Sequence, residues 1–392
     1  MKILVAWEMG GNWGHVARDL PVLRRLQAEG HDVRYAVRDA TLAASLCTSV
    51  GVPCMAAPAG VSPSRMPRGL AGFGAVLFAD GFGDVVILRE RISGWMQLFT
   101  EHGTDIVVSD YAPGALLAAH AAGIPSVAVG SGFEIPPDQA LLPSFQNDPA
   151  RDEAARRFSE GLVLFNVNRV LTDLDAPPLE RLAQVFQGTC HVLATIAELD
   201  HCGPRDGAVY AGPVQDLPGG VAANWRTTRP RVLVYLRGNG AAIDDVLRAL
   251  DAIGAEVIAV LPEVGRLPPV GTEIQVFRQP VSFDGLIETA DLVIAGGSGT
   301  VTAALLAGVP VLVLPANAEQ TMLGRRVEAA GVGMTVSSGT AATLDDAIDR
   351  LLHDAAFRTA AQALAAKYHD LGNESAIQTV IDAIHSTASG HS

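Results

Sequence analysis

The chain lacks any run of about 18 apolar residues free of charge and of Gly or Pro breaks, so no membrane span is predicted. Cations are in deficit. Lys and Arg number 28 against 42 Asp and Glu, a formal net charge of −14. A nucleic-acid binder needs a basic face to neutralise phosphates, and that class is excluded. Cysteine is scarce, with Cys47, Cys54, Cys190 and Cys202 in no CxxC spacing. Ordinary buried thiols in a reducing cytoplasm are expected. Cys190-His191 and His201-Cys202 lack metal-ligand spacing, so no metal is expected. Charged residues are only 18% and hydrophobic residues 49%, which excludes a disordered chain. The first residues, Met1 to Trp7, carry no small-residue cleavage site and read as a strand rather than a signal peptide. Nothing in the composition sets an oligomeric state.

What is present is alternation. In the first half, short apolar runs at Lys2–Trp7, Asp32–Val37, Asp105–Ser109 and Ser126–Val129 read as strands buried on both faces. Helical spacing fills Val16–Glu29 (Val16, Leu20, Leu23, Leu26) and Gly114–Ala122. The second half repeats the pattern, with strands at Arg231–Leu236, Glu256–Val260, Glu273–Phe277, Leu292–Ala295 and Val309–Leu314. One unit recurs visibly. Asp105-Ile-Val-Val-Ser leads through an Ala/Leu-rich helix to Gly123-Ile124-Pro125, and Asp291-Leu-Val-Ile-Ala leads likewise to Gly308-Val309-Pro310. A βαβ series implies a parallel sheet with right-handed crossovers. The expected fold class is α/β, with two tandem Rossmann-like doubly wound domains. They are placed at 1–216 and 230–372, joined by a linker at 217–229 rich in Pro and Gly. Helical patterns at Ala355–Leu371 and Ser375–Ile384 close the chain, and a final helix in 373–392 is free to cross back to the first domain. Two long irregular stretches, Ala57–Gly72 and Gly130–Asn147, are expected near the strand C-terminal ends, where ligands bind such sheets.

The second domain carries the more specific pattern. Ala295-Gly296-Gly297-Ser298-Gly299-Thr300 runs from a strand into a helix, a geometry that presents backbone N–H groups and the positive end of the helix dipole to an anion. Gly297, Ser298, Gly299 and Thr300 are the candidate diphosphate ligands; for Thr300, capping the helix is the competing role. Glu319 and Gln320 follow the next strand and suit the hydroxyls of a sugar attached to that phosphate, although Glu also favours a first helical turn. Arg237 and Gly238 end the domain's first strand, either near the same diphosphate or in a solvated loop. Val281 offers backbone to a base edge, and Phe283 either stacks on the base or belongs to the core. Together these residues suit a sugar nucleotide.

In the first domain, Gly10-Gly11-Asn12-Trp13-Gly14-His15 follows strand one and opens helix one, without making the dinucleotide fingerprint. A helix N-terminus disfavours the protonated form of an imidazole, and a neutral ring can take a proton from a hydroxyl. His15 is therefore either a base or a packing residue. Asp110 ends the strand at Ser109. It can fix the tautomer of His15 and support its charge, or it can cap the helix that starts near Gly114. Aromatic residues of this half, Trp13, Phe78 and Phe133 among them, are candidates for a lipophilic ligand or plain core.

In this order, these residues resemble the GT-B glycosyltransferases, specifically the inverting family (glycosyltransferase family 1) that glycosylates natural products. The likeness runs nearly the length of the chain. Gly14-His15-Val16 is similar to that family's catalytic-histidine turn, Asp110 to its aspartate partner, Gly297-x-Gly299-Thr300 to its diphosphate turn and Glu319-Gln320 to its sugar-holding pair. One position departs. The family's usual histidine at the head of the diphosphate turn is replaced by Ala295, which removes a charge-assisted bond worth roughly 1.5–3 kcal/mol.

The resemblance implies two domains facing across a cleft, with a UDP- or dTDP-linked sugar on the second and a small acceptor on the first. It further implies metal-independent transfer with inversion, His15 as base and Asp110 as its support, and no cofactor beyond the donor itself. The alternatives are a sugar-nucleotide epimerase or hydrolase on the same fold, a non-catalytic donor-binding partner protein, and an NAD enzyme.

Overall fold

In a parallel sheet covered by helices on both faces, each strand must be apolar along its whole length. The computed structural model has this arrangement twice. It describes all residues except 12, 42, 44–46, 49–50, 59–67, 215–219, 228, 239–240, 266–269, 284, 338–340 and 391–392, and the side chains of 13, 241, 242 and 341. The first unit holds six parallel strands, β1 (Lys2–Trp7), β2 (Asp32–Val37), β3 (Cys54–Ala56), β4 (Ile106–Asp110), β5 (Ser126–Gly130) and β6 (Cys190–Leu193), in the order β3-β2-β1-β4-β5-β6. Helices α1 (Trp13–Ala28), α2 (Gly72–Leu77), α3 (Val85–His102), α4 (Pro113–Ala122) and α5 (Glu153–Asp173) accompany them. β4 and β5 are buried at every residue. On α1, Val16, Leu20, Leu23 and Leu26 are all fully buried; each such side chain contributes about 1.5–3 kcal/mol.

The second unit repeats the plan. Its strands are β7 (Arg231–Tyr235), β8 (Glu256–Val260), β9 (Ile274–Phe277), β10 (Leu292–Ala295), β11 (Val311–Val313) and β12 (Gly333–Thr335), all parallel, in the order β12-β11-β10-β7-β8-β9. Read from either sheet's first strand, the order is the doubly wound one, with its reversal between β1 and β4 and again between β7 and β10. Helices α6 (Ala241–Ala252), α7 (Ser298–Leu306), α8 (Ala318–Ala329), α9 (Ala341–His353) and α10 (Ala355–Lys367) follow. The expected α/β class with twin doubly wound sheets is borne out.

The last helix, α11 (Asn373–Ser389), packs with the first unit, where Ile377, Val380, Ile381 and Ile384 join the core beside α1. Residues 198–203, placed by sequence in the first domain, pack instead with the second unit. The side chain of Glu198 accepts from the Tyr368 hydroxyl at 2.6 Å, and its carbonyl accepts from Nε of Arg326 at 3.2 Å. The expected linker at 217–229 includes residues 217–219 and 228, which lie outside the described residues.

Candidate active site

Each unit places polar residues at its own sheet reversal. In the first, Trp7 and Asp110 are register partners at the C-terminal ends of β1 and β4. The chain leaves β1, turns through Gly10 with φ +77° and enters α1, bringing His15 back over the strand ends. A Cβ at Gly10 would lie 2.5 Å from Nε2 of His15, so only glycine lets the imidazole sit on this turn. Nδ1 of His15 is 3.0 Å from each carboxylate oxygen of Asp110, and Asp110 is fully buried. Trp7 stacks on the ring with centroids 5.2 Å apart, and Tyr111 lies nearly parallel to it at 6.4 Å. Tyr111 has φ +48°, a sparsely populated conformation for a bulky residue that surrounding structure must hold.

The competing role for Asp110, capping α4, is taken by other residues. Oε2 of Glu8 accepts from the N–H groups of Gly114 and Ala115 at 2.7 and 3.3 Å, and Oγ of Ser109 accepts from that of Ala112 at 3.1 Å. Burial pushes the pKa of Glu8 up to about 7, against the pull of Arg91.

Two further residues complete the cluster. Arg18, one turn beyond His15 on α1, donates to Asp110 at 2.6 Å and grips Glu134 through both terminal nitrogens at 2.7 and 2.9 Å. Burial opposes the charge of Glu134, yet Arg18, His15 and a hydrogen bond from the Ser131 N–H outweigh it and hold its pKa down at about 2. Burial and then Asp110 push the neighbouring Asp19 well above the usual carboxylate range, and Asp19 accepts from the Tyr35 hydroxyl. His15, Asp110 and Glu134 would suit a metal by residue type, but Nη2 of Arg18 stands among them, 3.1 Å from the imidazole nitrogen. The guanidinium supplies the positive charge there.

Of the aromatic candidates, Phe133 is brought to this cluster, 6.4 Å from Tyr111 and packed with Phe73 and Phe145. The ring of Phe78 lies against Gly83 within its own turn. Trp13 opens α1, and its side chain lies outside the described residues.

In the second unit, Ala295 ends β10 fully buried and Gly297 is the N-cap of α7, with no side chain capping it. Ser298, Gly299 and Thr300 form the first turn, whose N–H groups have no partner within the helix. The capping role weighed for Thr300 therefore does not hold: it stands three residues inside the cap. Gln320 folds onto this turn. A Cβ at Gly296 would lie 2.8 Å from its Oε1, which accepts from the Ala316 N–H at 2.8 Å. Asn317 caps α8, and Glu319 in the first turn of that helix lies 2.9 Å from Nε2 of buried His201.

Across the sheet reversal, the Gly238 N–H donates to Glu263 at 3.0 Å, and Arg237 lies 3.7 Å from the same carboxylate. Asn239 and Gly240 lie outside the described residues. A bridge to Val221 engages the Pro280 carbonyl and the Ser282 N–H on either side of Val281. Phe283 is half-buried and meets Tyr235 edge-on at 6.2 Å.

This geometry has relatives. Residues 244–375 match the family model for the C-terminal domain of erythromycin biosynthesis protein CIII-like proteins. A PGL/p-HBAD biosynthesis glycosyltransferase of Mycobacterium tuberculosis is 28% identical over 71% of this chain and 70% of its own length. The crystal structure of the glycosyltransferase VinC, in complex with dTDP, superposes with a TM-score of 0.68 at 18% identity, covering 99% of this chain and 100% of that one. The chain is a glycosyltransferase with the GT-B fold. A UDP-sugar-dependent glycosyltransferase 52 of Dictyostelium discoideum is 34% identical over 29% of the chain, which spans only 7% of that larger protein.

For this glycosyltransferase, sequence reasoning missed Trp7, Arg18, Glu134 and His201. Arg18 left a signal, since i and i+3 share a helix face with His15. Glu134 lies in the long 130–147 stretch already marked as functional in length, but nothing in that stretch singled it out. His201 sits in an aperiodic segment, where no spacing marks it.

Proposed function

We propose that this glycosyltransferase moves a sugar from a dTDP- or UDP-linked donor to a hydroxyl of a small lipophilic acceptor, inverting the anomeric centre and using no metal. The observation that carries the reading is the pairing of Nδ1 of His15 with both oxygens of Asp110. With its proton on Nδ1, the neutral ring keeps a lone pair on Nε2. That nitrogen takes the acceptor hydroxyl proton as the oxygen attacks the anomeric carbon. The bond from that carbon to the diphosphate oxygen breaks, and Asp110 balances the imidazolium that forms.

The second unit holds the donor. The uncapped start of α7 receives the charge of the leaving diphosphate, as a metal would elsewhere. Ser298 and Thr300 add hydroxyls, and Arg237 and Gly238 close the same site from β7. Val281 and Phe283 flank the base. Glu319, oriented by His201, and Gln320 hold the sugar hydroxyls. The acceptor lies on the first unit beside Trp13, Tyr111 and Phe133. Support for the nucleotide comes from VinC, described in complex with dTDP. Support for a lipophilic acceptor comes from the aromatic group around Phe133.

Calorimetric titration with dTDP, UDP and NAD tests the donor class, and NMR of the product tests the stereochemistry. A thymidine or uridine diphosphate should bind where NAD does not, and the glycoside should carry the inverted configuration. Preference for NAD, or a retained configuration, would overturn the reading.

A further inference from the structure

On the first unit, three side chains from two separate segments, the α1–β2 turn and α11, point their polar atoms at one another. Glu29 follows α1, His31 precedes β2, and His385 lies on α11. Nε2 of His31 and Nε2 of His385 are 3.2 Å apart. Oε2 of Glu29 is 3.2 Å from the His385 nitrogen and 3.8 Å from that of His31. The ring centroids are 5.4 Å apart, well beyond the nitrogen separation, so each ring turns Nε2 toward the other.

Hydrogen bonding alone accounts poorly for this triangle. One proton on Nε2 of His385 can point at His31 or at Glu29, which leaves the other 3.2 Å contact without a proton of its own. A cation at the centre satisfies all three atoms at once. The point equidistant from three atoms with these separations lies about 2.0 Å from each, the length of a Zn–N or Zn–O bond. The other oxygen of Glu29 is already held, accepting from Nε of Arg25 at 3.0 Å, which leaves Oε2 to face the rings. The Met1 amino nitrogen lies 3.4 Å from Nδ1 of His31, the ring nitrogen that is not part of the triangle.

We propose that Glu29, His31 and His385 form a binding site for a divalent transition metal of the Zn²⁺ class, with water as the fourth ligand. Two imidazoles and a carboxylate are the donor set this class prefers. The site is separate from the His15 cluster, and its effect is mechanical. It ties α11 to the α1–β2 turn, where Arg25 already bonds Glu374 and Gln378 of that helix at 2.7 and 2.6 Å.

The test uses the full chain without an affinity tag, stripped with EDTA and titrated with ZnCl₂ by calorimetry. A parallel titration with CoCl₂ is followed by visible absorption. One equivalent should bind, Co²⁺ should develop the intense visible bands of a four-coordinate site, and Zn²⁺ should raise the melting temperature. His31→Ala and His385→Ala should each lower affinity by about tenfold or more, since even outer partners of metal ligands cost that much. Glu29→Gln, a milder change that keeps the shape, should weaken binding in the same direction. His15→Gln should leave the Co²⁺ bands intact. Absence of heat and of visible bands at millimolar metal would overturn the proposal. So would an unchanged isotherm in the folded His31→Ala/His385→Ala double variant, or loss of the bands in His15→Gln.

Discussion

Both carboxylate oxygens of Asp110 lie 3.0 Å from Nδ1 of His15. A buried carboxylate so placed fixes the tautomer and orientation of the ring. Its charge is balanced in turn by Arg18, which joins it to Glu134. The arrangement stacks an aromatic floor, an imidazole, a carboxylate and a guanidinium at the point where the first sheet reverses its strand order.

Asp110→Asn keeps the shape and removes the charge. The amide can present N–H to Nδ1, which favours the ring tautomer with its proton on the nitrogen meant to act as base. Turnover should fall by about 10²–10⁴, the range for loss of base function or of its orienting partner. Nucleotide affinity should stay unchanged in calorimetry, because the nucleotide site proposed above belongs to the other unit.

Arg18→Met leaves the buried Asp110 and the partly buried Glu134 without their cation. Loss of one partner of a buried ion pair costs about 3–5 kcal/mol, and urea denaturation should register it. Adding Glu134→Gln should restore part of that loss. A double-mutant cycle showing strict additivity would mean that the two residues do not act as a pair.

Glu134 makes acid stability sensitive to this cluster. Its folded pKa, about 2, is below the unfolded value of about 4.5. Its contribution is therefore present above pH 4.5 and lost as the pH falls toward 2. Glu134→Gln should flatten the acid limb of a stability curve over that window. Wild-type and variant curves of equal slope would contradict the assignment.

Gly296→Ala should act on the donor side alone. The added methyl meets Oε1 of Gln320 at 2.8 Å and the Leu314 carbonyl at 3.1 Å, so the amide must leave the turn. KM for the sugar nucleotide should rise several-fold, while KM for the acceptor should hold. His201→Gln, by freeing Glu319, should shift donor KM in the same direction.

Much of this was legible in the residues themselves. Strands β1, β2, β8 and β10 fall where short, largely apolar runs put them, and His15 and Asp110 lie at the strand and helix ends where such sheets bind ligands. β3, β6 and β12 were missed for a physical reason. They are three or four residues long and only partly buried, so neither alternation nor an apolar run marks them. Arg18 and Glu134 were hidden differently. Their partly buried ion pair is a relation between residues 116 positions apart, and neither partner shows it alone. The crossing of α11 to the first unit was permitted by its apolar spacing but decided by packing on α1.

The most direct measurement is the turnover of His15→Ala with a thymidine- or uridine-diphosphate sugar and an acceptor that the wild-type protein glycosylates. The account predicts a loss of about 10²–10⁴ in kcat with the nucleotide still bound at wild-type affinity. Turnover within a few-fold of wild type would contradict it.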